Sequence, residues 1–263
     1  VAGTRIRNTY AAGEPGTGAI AQDNPAGGVS SVASWRGSVI EDVPNAGIVG
    51  IGATMTVEGT RISRAGYWGL TIQTGGSRGA PTGRGPPVEE GADGVLEDSY
   101  VRRVAAVGLF GRGINVQRSN ITMQNSSADI RRMRVEETNE AALLVTGGDV
   151  TIADSWLRNT SPLPAGNLGD GITVDGQLYD SSLTVTQVRI DDSARAGIAS
   201  FGANVDLSSS TLSCNGFDLN TEMTLIGVGT FEDSGGNACG CGDAWGDCKL
   251  ESHTLDPPAH PDI

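Results

Sequence analysis

Asp149-Val150-Thr-Ile152-Ala-Asp-Ser-Trp-Leu157, Ser182-Leu183-Thr-Val185-Thr-Gln-Val-Arg-Ile190 and Asn204-Val205-Asp-Leu207-Ser-Ser-Ser-Thr-Leu212 are one pattern written three times. Each opens on an apolar alternation of period two, the mark of a short strand with one buried face. Five positions after the second apolar residue comes another. A Gly-apolar step then follows as Gly171-Ile172, Gly197-Ile198 and Gly216-Phe217.

The pair of apolar residues five apart recurs along the whole chain: Val1/Ile6, Trp35/Ile40, Val57/Ile62, Leu96/Val101, Ile130/Val135, Ile152/Leu157, Val185/Ile190, Leu207/Leu212 and Ile226/Phe231. Its second members are 34, 22, 39, 34, 22, 33, 22 and 19 residues apart, which reads as a turn near 22 residues carrying insertions. Eight positions after most second members stands a further apolar residue, as in Gly47-Ile48, Gly69-Leu70, Gly108-Leu109, Ala142-Leu143 and Gly197-Ile198. Three strands per turn follow. Strands this short cannot bury a face alone, so each turn must stack on the next. The sequence predicts an all-β fold, a right-handed parallel β-helix of about nine coils over residues 1–237, closed by a cysteine-containing cap and tail over 238–263. The shorter period of the left-handed type is absent.

The layers resemble the pectin-lyase-like superfamily of right-handed β-helices, with its Ser/Asn/Asp-rich turns such as Asp154-Ser155, Asn159-Thr160 and Asp192-Ser193. The resemblance covers roughly residues 1–237. It implies a fold that serves polysaccharide lyases, hydrolases, epimerases, adhesins and phage spikes, so function has to be argued from sites.

Insertions are expected at two corners: Ala11–Thr17 and Ser161–Gly169 after the second member, and Gln22–Ser34, Gly75–Asp93, Arg112–Ser127 and Gln177–Ser182 after the Gly-apolar strand. The first layer opens at Val1 with no preceding cap, which reads as a piece of a longer chain. A net charge of −13 excludes nucleic acid and anionic membrane as partners, since both need a basic footprint. No stretch approaches the ~20 apolar residues of a membrane-inserted span.

The cations are almost all Arg, and they are placed periodically. One residue before the second apolar member, on the outward side, successive layers carry Arg5, Val39, Arg61, Tyr100, Arg134, Trp156, Arg189 and Thr211. Skipping every second layer relieves like-charge repulsion, and the rings between can stack on guanidinium groups. Arg61, Tyr100, Arg134, Trp156 and Arg189 are therefore either a self-stabilising ladder or a track for an acidic polysaccharide, with Arg forks for carboxylate or sulfate. Two residues on, the same face carries Arg7, Glu41, Ser63, Arg102, Glu136, Arg158, Asp191 and Ser213, whose carboxylates could neutralise the track.

Asp170 and Asp191-Asp192 resemble the carboxylates of the polygalacturonases, where residues of successive turns supply acid and base for an inverting hydrolysis. The register argues against it. Asp191-Asp192 end a strand instead of directly preceding the Gly-apolar step, and the later His and Arg-x-Lys of that family are missing. A lyase would need a base, with Arg102, Arg103, Arg158 and Arg189 as candidates. For Ca²⁺ the best-placed carboxylates are Asp170, Asp175 and Asp180, with Glu89, Glu90 and Asp93 as second choice. Cys214, Cys239, Cys241 and Cys248 read as two disulfides in an oxidising compartment, with Cys214 paired to Cys239, to Cys241 or, less comfortably by sequence distance, to neither; zinc with His253 or His260 is the alternative. Asn120, Asn125 and Asn159 head N-glycan acceptor patterns.

The expected role is an extracellular binding or structural module of a secreted or cell-surface protein, contacting polysaccharide or another surface protein. The alternative is a polysaccharide lyase acting by β-elimination, and behind it a glycoside hydrolase. One oddity remains. The outward column of the Gly-apolar strand holds Val49, Thr71, Phe110, Leu144, Thr173 and Ala199, which predicts Phe110 and Leu144 buried, beneath the loop Gly75–Asp93 or otherwise at a contact with a missing segment or a second chain.

Overall fold

The computed structural model describes residues 1–7, 10–11, 14–22, 31–76, 89–119, 124–224 and 229–259. Three parallel sheets run the length of the molecule, and the chain visits them in the same order in every coil, A then B then C. Sheet A runs from Val32–Arg36 to Phe231–Asp233 and is extended below by the Ala2–Arg36 bridge. Sheet B runs from Arg5–Arg7 to Ala238–Cys241, and sheet C from Ala19–Gln22 to Leu250–Glu251. The result is a right-handed parallel β-helix of nine coils, the hand expected of parallel crossovers. At ~4.8 Å per layer the stack is about 40 Å long. No helix among the described residues is long and apolar enough to cross a membrane.

The repeat that dictates the fold is visible in the register. Ile40, Ile62, Val101, Val135, Leu157, Ile190 and Leu212 pair in sequence down sheet B, all buried to within 1%. Their partners five residues upstream, Trp35 to Leu207, form the matching column in sheet A. Burying such a side chain stabilises by about 1.5–3 kcal/mol relative to exposure, and each column continues the core of the coil below.

Two short corners have their own columns. Between sheets A and B the residues Gly37, Gly59, Asp98, Arg132, Asp154, Gln187 and Ser209 all have positive φ. Beside them a hydroxyl or amide of most coils caps a backbone N–H of the coil below, as in Thr60 N to Ser99 Oγ and Val188 N to Ser210 Oγ, except where Met133 and Val188 hold the position. At the end of the sheet B strands Asp42, Arg64, Arg103, Glu137, Asn159, Asp192 and Cys214 repeat the left-handed conformation. This is why Asp and Asn recur at these turns. They tolerate that region better than most residues.

Glycine before the apolar residue of sheet C has a different cause. A Cβ on Gly47 would sit 2.4 Å from the Gly69 carbonyl oxygen, and one on Gly69 would sit 2.5 Å from the Gly113 oxygen. At these two coils the backbones approach too closely for a side chain, whereas coil 5 accommodates Ala142 and coil 8 Asp218 at the same position.

The register corrects three expectations. In coil 4 the sheet C strand is Arg112–Gln117, with Gly113-Ile114 in the column of Leu70 and Leu143. Gly108-Leu109 belongs to the preceding insertion, and Leu109 is 54% exposed. One insertion therefore lies before Arg112 at the sheet B to sheet C corner, the expected insertion after the strand is confined to residues 118–125, and Asn115 takes the place assigned to Phe110, which is half-buried outside the sheet. In coil 8 the partner of Ile198 is Leu219, two residues beyond Phe217. In coil 9 Phe231 pairs with Val205 in sheet A, and the next residue in the interior column of sheet B is Cys239.

Two disulfides fasten the last coil. Cys214 bonds Cys241, and Cys239 bonds Cys248. They pin the antiparallel hairpin of Ala238–Cys241 and Ala244–Gly246 onto the top of sheet B. Because Ala238–Cys241 also pairs in parallel with Thr211–Ser213, the ninth coil and the cap share residues.

Candidate functional site

The outward face of sheet B carries the charged column at the predicted spacing. Arg61, Tyr100, Arg134, Trp156 and Arg189 are direct neighbours in successive coils. The guanidinium carbons lie over the rings throughout: Arg61 5.9 Å and Arg134 5.5 Å from the Tyr100 centroid, Arg134 4.7 Å and Arg189 5.4 Å from that of Trp156. Each ring is held between two cations. Arg158 adds a third contact to Trp156 at 4.4 Å. Each such pair contributes ~0.5–1 kcal/mol at an exposed site, so the column stiffens itself. It also uses up the ring faces, which are therefore closed to a sugar.

The neighbouring column supplies the counter-charge. Glu136, buried in coil 5, accepts from the Tyr100 hydroxyl, from Arg134 Nη2 at 2.8 Å and from Arg158 Nε at 2.7 Å, while Arg102 Nε lies 3.3 Å away. Burial works to raise its pKa, but those donors outweigh burial and hold the carboxyl at about 2. Asp191 accepts from Arg189 Nε at 2.6 Å and from Trp156 Nε1 at 2.7 Å. Donors nevertheless remain on the outer side. Arg134 and Arg189 are 43% and 61% exposed. Arg61 forms no ion pair among the described residues. In this column what faces solvent is a rack of guanidinium edges in alternate coils, about 10 Å apart, with the more covered, ion-paired Arg102 and Arg158 of the intervening coils beside it.

The other candidates are dispersed. Asp170 and Asp175 stand at the two ends of one six-residue strand of sheet C, ~16 Å apart at strand rise. Both Asp170 oxygens are taken by Arg195, and Thr173 donates to one of them, while Asp180 lies on the surface beyond the strand. The three do not form a Ca²⁺ cage. Among the described residues no group of three or more His, Cys, Asp or Glu does. Asp93 accepts from Ser127, and nothing is described of the side chains of Glu89 and Glu90. Asp191 is on sheet B, held by Arg189 and Trp156, and Asp170 is buried on sheet C, held by Arg195.

Of the candidate lyase bases, Arg102 and Arg103 pair with Glu137, Arg158 with Glu136, and Arg189 with Asp191. The Glu137 carboxylate pushes the Arg102 pKa up, and a guanidinium held protonated has no lone pair to act as a base. With all four cysteines in disulfides the zinc alternative falls. Asn125 donates to Asp149 and Asp180, Asn159 occupies a left-handed corner, and Asn120 lies outside the described residues.

The outward face of sheet C was not legible as a site. Leu144 is buried as expected, but so are Thr71, Asn115, Thr173, Ala199 and Asn220 of the same column. Most of the loop Gly75–Asp93 lies outside the described residues. The cover that is described is the tail beyond Cys248: Leu255 packs on Ala196, Ala199 and Phe201, and Pro258 is buried. The one signal in the sequence was the apolar Leu255 set before Pro257-Pro258.

Fold and face together define a parallel β-helix with a cationic rack on one sheet. No family model and no curated protein matches the chain. Among solved structures it is similar to the pectate lyase Pel9A, at 13% identity and a TM-score of 0.46 over 89% of this chain and 68% of that one. It is also similar to the enzymatically active domain of the bacteriophage CBA120 tailspike protein 2, at 11% identity and 0.40 over 81% and 39%. A third is the catalytic domain of a GH87 α-1,3-glucanase in complex with nigerose, at 10% and 0.29 over 89% and 56%. No residue role passes from them to this chain.

Proposed function

We propose that this chain is a binding module that lays an anionic polysaccharide along the outward face of sheet B. The observation that carries the reading is the alternation of exposed guanidinium edges at Arg61, Arg134 and Arg189, stiffened by Tyr100 and Trp156. A pyranose residue in an extended chain advances by about one strand spacing. A polymer with acidic groups on alternate sugars therefore meets a cation at every second coil, where Arg forks suit carboxylate or sulfate. The rack is already ordered, so little side-chain entropy is lost on binding. The surrounding protein is strongly acidic, which restricts an anionic ligand to this strip. Two disulfides fit a secreted or cell-surface setting.

Replacing Arg61, Arg134 and Arg189 together by Gln tests the reading. Binding of polygalacturonate or heparin, followed by calorimetry, should weaken at least tenfold with an unchanged circular dichroism spectrum, and wild-type affinity should fall as salt rises. Undiminished binding by the triple variant would end the proposal. Appearance of unsaturated chain ends during the same incubation would move the protein to the lyases.

A further inference from the structure

From coil 4 to coil 7 every residue of the sheet C strands is buried, on the outward as well as the inward side. Part of the cover is the chain's own end. Beyond Cys248, Leu250–Glu251 pairs with Leu219–Asn220 of coil 8, and the chain then runs back down the face. Asp256 reaches Arg195, next to the coil 7 strand, and Ala259 reaches Arg112 of coil 4.

The face holds this segment by its backbone. Glu222 Oε1 accepts from the N–H groups of His253 at 2.9 Å and Leu255 at 3.1 Å, and Asn220 Oδ1 accepts from His253 at 3.1 Å. Arg195 Nη1 donates to the Asp256 carbonyl at 2.8 Å, and Arg112 Nη2 to the Ala259 carbonyl at 2.6 Å. Both guanidiniums are fixed beforehand by buried carboxylates, Arg112 by Glu140 and Arg195 by Asp170. Donors and acceptors set in advance at the spacing of an extended backbone, with an apolar seat for Leu255, are what a peptide groove requires. Pro257-Pro258 keeps the occupant extended at low entropic cost.

The same face carries hydrogen-bonding atoms that nothing described meets. Among the described residues, Trp68 Nε1 and Thr71 Oγ1 in coil 3, Asn115 Nδ2 in coil 4 and Thr146 Oγ1 in coil 5 are buried atoms without a partner. Each costs stability unless something supplies the bond, and four on one face is a concentration that folding alone does not call for.

We propose that the outward face of sheet C is a binding groove for an extended, proline-containing peptide, filled in cis by Leu250–Ala259 and open in trans to the same segment of a second copy. The segment lies beyond the last disulfide, tethered only through Lys249, and exchange of such an arm replaces each contact by its equal.

A specific protease sequence inserted between Lys249 and Leu250 of the full chain makes the test. After cleavage the segment should leave while the circular dichroism of the β-helix persists. A labelled synthetic peptide of residues 250–259 should then bind with a stoichiometry of one. The peptide carrying Leu255→Asp should bind at least tenfold more weakly, as should the wild-type peptide to a cleaved Glu222→Gln protein. A segment that leaves only on unfolding, an emptied groove that does not rebind the peptide, or equal binding of the Leu255→Asp peptide would each overturn the proposal. None of these outcomes depends on the sheet B rack.

Discussion

Glu136 shows how much of the sheet B face hangs on single side chains. Its carboxyl is 2% exposed and serves Arg134, Arg158, Arg102 and Tyr100 at once. Its folded pKa, about 2 against an ordinary 4.5, is depressed. The stability it contributes is therefore complete above pH ~4.5 and is lost as pH falls towards 2. The shift corresponds to about 3 kcal/mol. Glu136→Gln should lose a comparable amount at neutral pH, because it leaves cations without their counter-charge. Urea titrations across this range should show the wild type losing stability with acid and the variant losing less. Equal acid sensitivity of the two proteins would mean that the depressed pKa is not real.

At the scale of the strand, the close approach at the sheet C corner makes the sharpest demand on the sequence. Gly69→Ala would drive a Cβ to 2.4 Å from Val101 Cγ1 as well as onto the Gly113 oxygen. Overpacking of this kind costs ~1–3 kcal/mol, and the melting temperature should fall accordingly. The cap is the second case. Closing a loop of 27 residues, as Cys214–Cys241 does, contributes about 3.5 kcal/mol in the chain-entropy account, and the Cys239–Cys248 loop of 9 about 2.6. Reduction should open Ala238–Gly246 to hydrogen exchange first, while coils 3 to 6 stay protected. The intact protein should weigh four hydrogens less than the reduced one.

The same corners explain what could be read in advance. The interior columns were legible because strand parity and coil length both constrain them. The reading slipped in coil 4, where a second Gly-apolar pair, Gly108-Leu109, stood five residues before the true one and the insertion length was free. It slipped again in coil 9, where Asp233 replaces the apolar first member and a half-cystine, Cys239, closes the core. The Arg–aromatic column was legible because outward positions share the register of the core. The sheet C groove was not, since its described occupant is held through backbone atoms and comes from up to 147 residues away.

For the molecule as a whole, nine stacked coils act as a ruler. Each coil contacts its neighbours, so stability accrues along one axis, and side chains at equivalent positions repeat at a fixed spacing. The proposed function uses that property. Its claim is a match of period, which nonspecific attraction between a polyanion and scattered arginines would not produce. Calorimetric affinities for a series of acidic oligosaccharides of increasing length, with one carboxylate or sulfate on alternate sugars, test it most directly. The account predicts that affinity rises in steps of two sugars and levels off once the chain spans from Arg61 to Arg189, about 19 Å over four strand spacings. A smooth rise that continues past that length, or affinity indifferent to length, would contradict it.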